Sequence, residues 1–192
     1  MKKAEMGMGT LIIFIAMILV AAVAASVLIS TTSTLQNKAL TTGKETTNEV
    51  GTSLSAIEVY AEDGRGQNLS HFFTIIKLSS GSENIRFTDT LVSFNIDNES
   101  RDYEYNSSIT CNETQFMDAN ADQFGISYQI TGNNNKTGYL TKGDVAKICF
   151  RTPIVGESED IKISIIPMVG STLTIETTTP DLMINKRINI FP

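Results

Sequence analysis

Leu11-Ile12-Ile13-Phe14-Ile15-Ala16-Met17-Ile18-Leu19-Val20-Ala21-Ala22-Val23-Ala24-Ala25-Ser26-Val27-Leu28-Ile29 is an unbroken block of 19 residues in which only Ser26 is polar. As a helix it spans roughly 29 Å, about the hydrocarbon thickness of a bilayer. Lys2 and Lys3 stand before it, and the first charge after it is Lys38. Positive charge stays on the cytoplasmic side, so the N-terminus is expected inside and the C-terminal bulk outside. A secretory signal has a shorter apolar region with small residues and cleavage behind it. This block instead runs on through Ser30-Thr31-Thr32 to Leu35, Ala39 and Leu40 without a turn signal. No proline precedes Pro153, so nothing interrupts the helical hydrogen-bond ladder. Leu35, Ala39, Gly43, Thr46 or Thr47, and Val50 recur near the helical period, which carries the helix to about Val50-Gly51.

A helix apolar on every face has no single preferred partner surface. Alone it is stable only in lipid. Packed among copies of itself it buries its whole circumference, and each Leu or Ile so buried is stabilised by about 1.5–3 kcal/mol relative to water. Ala21, Ala22, Ala24, Ala25 and Ser26 let such helices approach closely.

The rest of the chain is a different material. It is polar and rich in Ser, Thr and Asn, and the whole 192-residue protein carries a net charge of -6 without a basic patch after residue 3. Nucleic-acid binding needs clustered cations, so that class is excluded. After Gly51 the apolar period changes from 3.6 to two. Val92, Phe94 and Ile96 alternate with Ser93, Asn95 and Asp97; Ala146, Ile148 and Phe150 with Lys147, Cys149 and Arg151; Ile161, Ile163 and Ile165 with Lys162 and Ser164; Leu173 and Ile175 with Thr174 and Glu176. Further runs are Leu54–Tyr60, His71–Leu78, Phe124–Ile130 and Met183–Ile190, with turn signals at Asp63-Gly64, Ser80-Gly81-Ser82 and Gly132-Asn133-Asn134. The expected fold is therefore α+β: a long hydrophobic N-terminal α-helix, then an antiparallel β-sandwich of immunoglobulin-like type.

Cys111 and Cys149 are the only cysteines. They lack CxxC spacing, which argues against zinc, and an even count on an exported chain allows one disulfide or two buried thiols. Asn-x-Ser/Thr sequons begin at Asn68, Asn98, Asn106, Asn112 and Asn135, three of them within a polar stretch read as loop or edge; they are N-glycosylation candidates on an exported surface. Asp118, Asn120 and Asp122 put oxygen ligands at alternate positions, as a calcium loop does, but Gln123 and Gln129 replace the glycine and the twelfth-position carboxylate of an EF-hand. No motif requires a cofactor, and Ca²⁺ is the one ion for which the sequence offers a ligand pattern. Gly7-Met8-Gly9 follows no strand and has no third glycine, so it is not a nucleotide loop. His71 is the only histidine; with no Ser/His/Asp arrangement visible it reads as a plain strand residue. No carboxylate pair stands in a catalytic context, and the chain reads as a non-enzyme.

Lys3-Ala4-Glu5-Met6-Gly7-Met8-Gly9-Thr10-Leu11-Ile12 resembles the class III signal peptide of archaeal flagellins (archaellins), within the type IV pilin-like superfamily. The run Phe14 to Ala25 and the stretch Gln36-Asn37-Lys38-Ala39-Leu40-Thr41-Thr42-Gly43-Lys44-Glu45 are similar to the same family's helix, so the likeness covers about the first 55 residues. In the tail, Leu140-Thr141-Lys142-Gly143-Asp144-Val145 resembles the family's strand entry, and Ile165 to Gly170 followed by Glu176 to Pro180 its last hairpin. The resemblance implies cleavage between Ala4 and Glu5 by a prepilin-type signal peptidase, leaving residues 1–4 as signal peptide, 5–51 as helix and 52–192 as the outer β-sandwich. It implies a filament core made from Leu11, Ile12, Phe14, Ile15, Ile18, Leu19, Val20, Val23, Val27 and Leu28. It also implies partners: other flagellin subunits in a homo- or hetero-polymer, an archaellum assembly ATPase and platform protein, and the cell membrane before assembly. The expected product is an extracellular archaeal flagellum filament for swimming. A type IV pilus-like adhesion subunit is the alternative. Bacterial-type pilins carry Glu at the fifth mature position, which here is Gly9, and this favours the flagellin reading. A lone membrane-anchored sandwich is the third class, and it leaves Gly7-Met8-Gly9-Thr10 unexplained.

Overall fold

The computed structural model describes residues 2–97, 99–112 and 122–191, with side chains from residue 7 onward. The chain divides into two compact units, Met1–Thr46 and Thr47–Pro192. The first is helix throughout its described length. Helix α1 covers Lys2–Gly51, about 75 Å of continuous helix at the standard rise.

The second unit is built from strands β1 (Leu54–Ala61), β2 (Leu69–Leu78), β3 (Ile85–Arg86), β4 (Thr90–Ile96), β5 (Glu99–Tyr105), β6 (Gln123–Ile130), β7 (Tyr139–Leu140), β8 (Val145–Val155), β9 (Asp160–Pro167), β10 (Leu173–Thr178) and β11 (Ile188–Phe191). Nine of them run in the order β10-β9-β4-β5-β6-β8-β2-β1-β11, and β3 pairs with β7. Among the described residues all ladders are antiparallel except one. At the seam, β5 and β6 pair in parallel through Glu104 with Gln123 and Tyr105 with Phe124. This short ladder joins β11-β1-β2-β8-β6 to β5-β4-β9-β10, and the two halves face each other. The Phe72 ring on β2 lies 5.1 Å from Phe94 on β4, and Phe150 on β8 lies 5.2 Å from Tyr103 on β5. The β4 pattern shows the pleat directly: Thr90, Val92, Phe94 and Ile96 are buried and the residues between them are not. Each core aromatic contributes about 1.5–3 kcal/mol through burial.

Three features depart from the sequence expectation. The polar stretch after Asn98 is not loop alone, because Glu99–Tyr105 forms β5. Tyr103 is fully buried there and supplies the strand's hold on the core. The run Met183–Ile190 is extended strand only at Ile188–Phe191; Met183 is buried, but as part of a loop. On β8, Cys149 lies on the face opposite Ile148 and Phe150, yet it too is buried. Ile109 and Cys111 cover that face, and with Tyr60, Phe73 and Cys149 they form a second apolar cluster.

Candidate assembly helix and surface sites

Every residue expected to form the core of an assembly is exposed on α1. Leu11 is 61% exposed, Val20 70% and Leu28 66%, and Ile12, Phe14, Ile15, Ile18, Leu19, Val23 and Val27 are likewise open. The helix is long and apolar enough to cross a membrane. Nothing in its own unit covers this surface, so it needs lipid or other copies.

The stretch beyond Ser30 is less polar than its composition suggests. Hydroxyls of Thr31, Thr34, Thr41 and Thr46 donate to carbonyl oxygens of Val27, Ser30, Asn37 and Thr42 at 2.9–3.0 Å. Each hydroxyl is satisfied by its own helix, which leaves the threonine methyl as the outward contact. The i, i−4 geometry of a helical threonine was the available signal for this. The helix can therefore enter an apolar bundle without stranding these donors.

Ala4 and Glu5 lie within the helical backbone near its start. The sequon asparagines are dispersed. Asn68 is exposed just before β2, Asn135 is exposed in the turn closed from its N–H to the Gly132 carbonyl, and Asn112 is exposed next to Cys111. Asn106 is half-buried: its Nδ2 donates to Gln123 Oε1 at 2.8 Å and its Oδ1 accepts from the Ser108 N–H at 2.8 Å. Asn98 falls outside the described residues. So do Asp118 and Asn120, and Asp122 lies beside β5, its carbonyl accepting the Glu104 N–H. Among the described residues no group of three or more His, Cys, Asp or Glu is arranged to hold a metal.

Cys111 and Cys149 form a disulfide. It rivets the segment from Asn106 to Cys111 across the outer face of β6 and β8. The crossing is close: a Cβ on Gly125 would stand 2.4 Å from the Ile109 carbonyl oxygen, so only glycine fits. Lys147 Nζ donates to the Cys111 carbonyl at 3.2 Å, and the Tyr60 and Phe73 rings stack beneath at 5.1 Å. The cysteine spacing allowed such a bridge; nothing in the sequence marked Gly125 as its seat.

Sequence reasoning also missed a clamp at the β1–β2 turn. Asp63 Oδ2 accepts from the Ser70 N–H at 2.8 Å and from Ser70 Oγ at 2.7 Å, and His71 Nδ1 lies 2.9 Å away. A Ser/His/Asp grouping is thus present, contrary to the expectation. Its geometry is not that of a nucleophile relay, in which the two imidazole nitrogens face serine and aspartate separately. Here Nδ1 faces both, and the serine hydroxyl is already given to the carboxylate. Burial pushes the Asp63 carboxyl up, but the hydrogen bonds from His71 and Ser70 outweigh it and hold it below the ordinary carboxylate range.

Asp144 makes the comparable clamp before β8. Gly143 takes φ +88 in the turn from Thr141, the left-handed conformation that glycine adopts without strain. This aims the buried Asp144 carboxylate at three donors: the Gly132 N–H at 2.7 Å, the Thr141 N–H at 3.0 Å and Thr141 Oγ1 at 2.8 Å. Burial raises this carboxyl also, and the bonds from Gly132 and Thr141 more than reverse it. The Lys142-Gly143-Asp144 stretch therefore builds a turn.

Comparisons with known proteins agree with this arrangement. The chain matches the archaeal-type flagellin family over residues 4–177. It is 33% identical over 197 aligned positions to flagellin B2 of Methanocaldococcus jannaschii, covering 93% of this chain and 90% of that protein. It is 30% identical to flagellin B5 of Pyrococcus abyssi, covering 94% and 95%. In three dimensions it resembles the archaeal flagellum subunit of Methanospirillum hungatei strain JF1 with a TM-score of 0.70 at 16% identity, over 97% of this chain and 99% of that one. The crystal structure of flagellin FlaB1 from Methanocaldococcus jannaschii matches with a TM-score of 0.64 at 16% identity, over 72% of this chain and 96% of that one. These structural likenesses establish a shared fold.

Proposed function

The chain belongs to the archaeal-type flagellins, and from that premise we infer that it is a structural subunit that polymerises into the extracellular filament of the archaeal flagellum, used for swimming. The observation that carries the reading is the helix α1, whose entire apolar block from Leu11 to Ile29 is exposed in a single chain. The β-domain encloses a core of its own and leaves only scattered apolar residues such as Ile154 and Met168 exposed, whereas the block in α1 is open along its whole length, so the main drive to assemble resides in the helix.

The finer steps form part of the same proposal. The precursor waits in the cell membrane with the block spanning lipid. A prepilin-type peptidase on the cytoplasmic side cuts between Ala4 and Glu5. Because lipid solvates the helix about as well as a bundle does, an assembly ATPase and platform protein drive the transfer into the polymer. The β-domain forms the outer layer, with glycans at accessible sequons; exposure supports Asn68, Asn112 and Asn135 ahead of Asn106, whose amide nitrogen is already engaged. The chain performs no catalysis, in keeping with the structural role of its family. A calcium site involving Asp118, Asn120 and Asp122 is a separate, subordinate proposal, tested by calcium titration with the D122N variant as control.

Intact mass of protein sheared from cells tests the reading. The expected species lacks residues 1–4 and retains Leu11–Ile29. A secreted product without the apolar block, or a monomer that keeps Lys2 and Lys3, overturns it. Deleting the gene separates the functions: lost swimming with intact adhesion supports the flagellar role, and the reverse supports an adhesion pilus.

A further inference from the structure

Beyond its first residues, α1 carries few charges: between Gly7 and Gly51 they are Lys38, Lys44, Glu45 and Glu49. Among the described residues none of the four has an ion-pair partner. Seven residues is close to two helical turns, so Lys38 and Glu45 project from the same face, about 10.5 Å apart along the axis. That separation exceeds what an ion pair bridges within one helix. Glu49, one further turn along, repeats the carboxylate, and like charges at that spacing repel. The helix alone therefore leaves a cation and a carboxylate stranded on one face.

The surroundings of Lys38 are open. Thr34, Asn37, Lys38, Thr41 and Thr42 line a shallow hollow on the helix surface. The hydroxyls of Thr34 and Thr41 are turned onto their own backbone, so these two side chains offer methyls beside Asn37 and Thr42 and do not compete for Lys38. Copies inserted through one membrane share one orientation and pack in parallel. If two parallel copies slide by about 10 Å, Lys38 of one lies level with Glu45 of the other. A water-poor helical bundle strengthens such a pair and makes either charge alone costly.

We propose that Lys38 and Glu45 pair between neighbouring copies of this chain, and that the pair fixes their axial stagger at about 10 Å. The proposal rests on the polymer reading given above and adds to it a register. Apolar burial along α1 fixes the offset only loosely, because nearly every position of Leu11–Ile29 is apolar and a sliding copy exchanges one apolar contact for another. The charged pair is the feature that distinguishes one offset from its neighbours.

The test uses cells in which this chain is the only flagellin. Filaments of the double variant Lys38→Cys/Glu45→Cys are sheared, oxidised and run without reductant. Within one helix the two Cα atoms are about 10.5 Å apart, beyond disulfide reach. A ladder of dimers and higher species is therefore intermolecular and is the expected result; Lys38→Cys alone stays monomeric. In parallel, Lys38→Glu lowers filament yield about tenfold or more, and Lys38→Glu/Glu45→Lys restores it. Lys44→Glu, which projects from a different face, keeps the yield of the unmodified chain. Filaments that form without a ladder, a charge swap that rescues nothing, or equal damage from Lys44→Glu each overturn the pair. Absence of any polymer from the unmodified chain would instead defeat the underlying reading.

Discussion

Helix α1 and the β-domain treat apolar surface in opposite ways. Val20 is 70% exposed, whereas Phe94 on β4 is 1% exposed, packed between Phe72 and Phe150. Both regions are rich in Ile and Val. What differs is the period. An apolar residue at every position leaves a helix with no inward face, and its burial must come from outside the molecule. Apolar residues at alternate positions give each strand one inward face, and two sheets from one chain suffice to cover it. The β-domain thus folds as a property of one chain, while the helix reaches its final state as a property of many.

The comparison breaks most completely at Val20. Val20→Asp places a carboxylate in the middle of the apolar block, at a cost of about 2.5–3.5 kcal/mol in membrane insertion, and again in every copy of a helical bundle. The expected outcome is total loss of sheared extracellular filaments on electron micrographs, with the β-domain still compact to limited proteolysis. Normal filaments would show that the block is not packed against its copies.

Phe94→Ala attacks the other region. Truncating a fully buried phenylalanine costs about 3–5 kcal/mol. Urea unfolding of a fragment spanning residues 52–192 should show that loss, while the same fragment without substitution remains a soluble monomer. A midpoint unmoved by the change would mean that the two sheets do not depend on each other.

These contrasts were legible in the sequence where periodicity is strict. The apolar block and the alternation of Val92, Phe94 and Ile96 or Ile161, Ile163 and Ile165 each identify an element and its buried face. Legibility failed where one residue does the work of many. Strand β5 reads as loop or edge because Tyr103 and Tyr105 are its only large apolar side chains, yet Tyr103 is wholly enclosed. Cys149 falls on the polar side of the β8 alternation, because the strap that covers it, the Asn106 to Cys111 segment, has no period of its own. Asp63, Ser70 and His71 meet across a turn, and a turn's side-chain pairing is set by backbone geometry that a linear pattern does not encode.

The strap offers a smaller break. The Cys111–Cys149 bond closes a 38-residue span. Its loss should cost about 2–4 kcal/mol. The paired variant Cys111→Ala/Cys149→Ala should therefore melt earlier than the parent fragment. It should also bind an apolar dye more strongly, because Tyr60 and Phe73 lose their cover. Equal melting of the reduced and oxidised parent would show that the hydrogen bonds of Asn106 and Lys147 hold the strap unaided.

Acid should distinguish the two regions most subtly. Asp63 and Asp144 are both held below the ordinary carboxylate range in the folded β-domain. In the unfolded chain they titrate near 3.9. The folded state therefore binds fewer protons than the unfolded state around and below pH 4, and its stability falls as pH drops through that window. Above it the contribution of both clamps is fully present. The apolar block has no titrating group to lose, so polymer contacts along Leu11–Ile29 should persist at a pH where the β-domain has begun to loosen. Asp144→Asn removes one clamp's charge. It should lower stability at pH 7 by about 1.5–3 kcal/mol, the usual worth of hydrogen bonds to a charged group. It should also flatten the loss between pH 5 and 3, because one of the titrating differences is gone. Thermal melts of the 52–192 fragment across that range check both halves. A variant as acid-sensitive as its parent would mean that Asp144 is not one of the groups whose protonation loosens the domain.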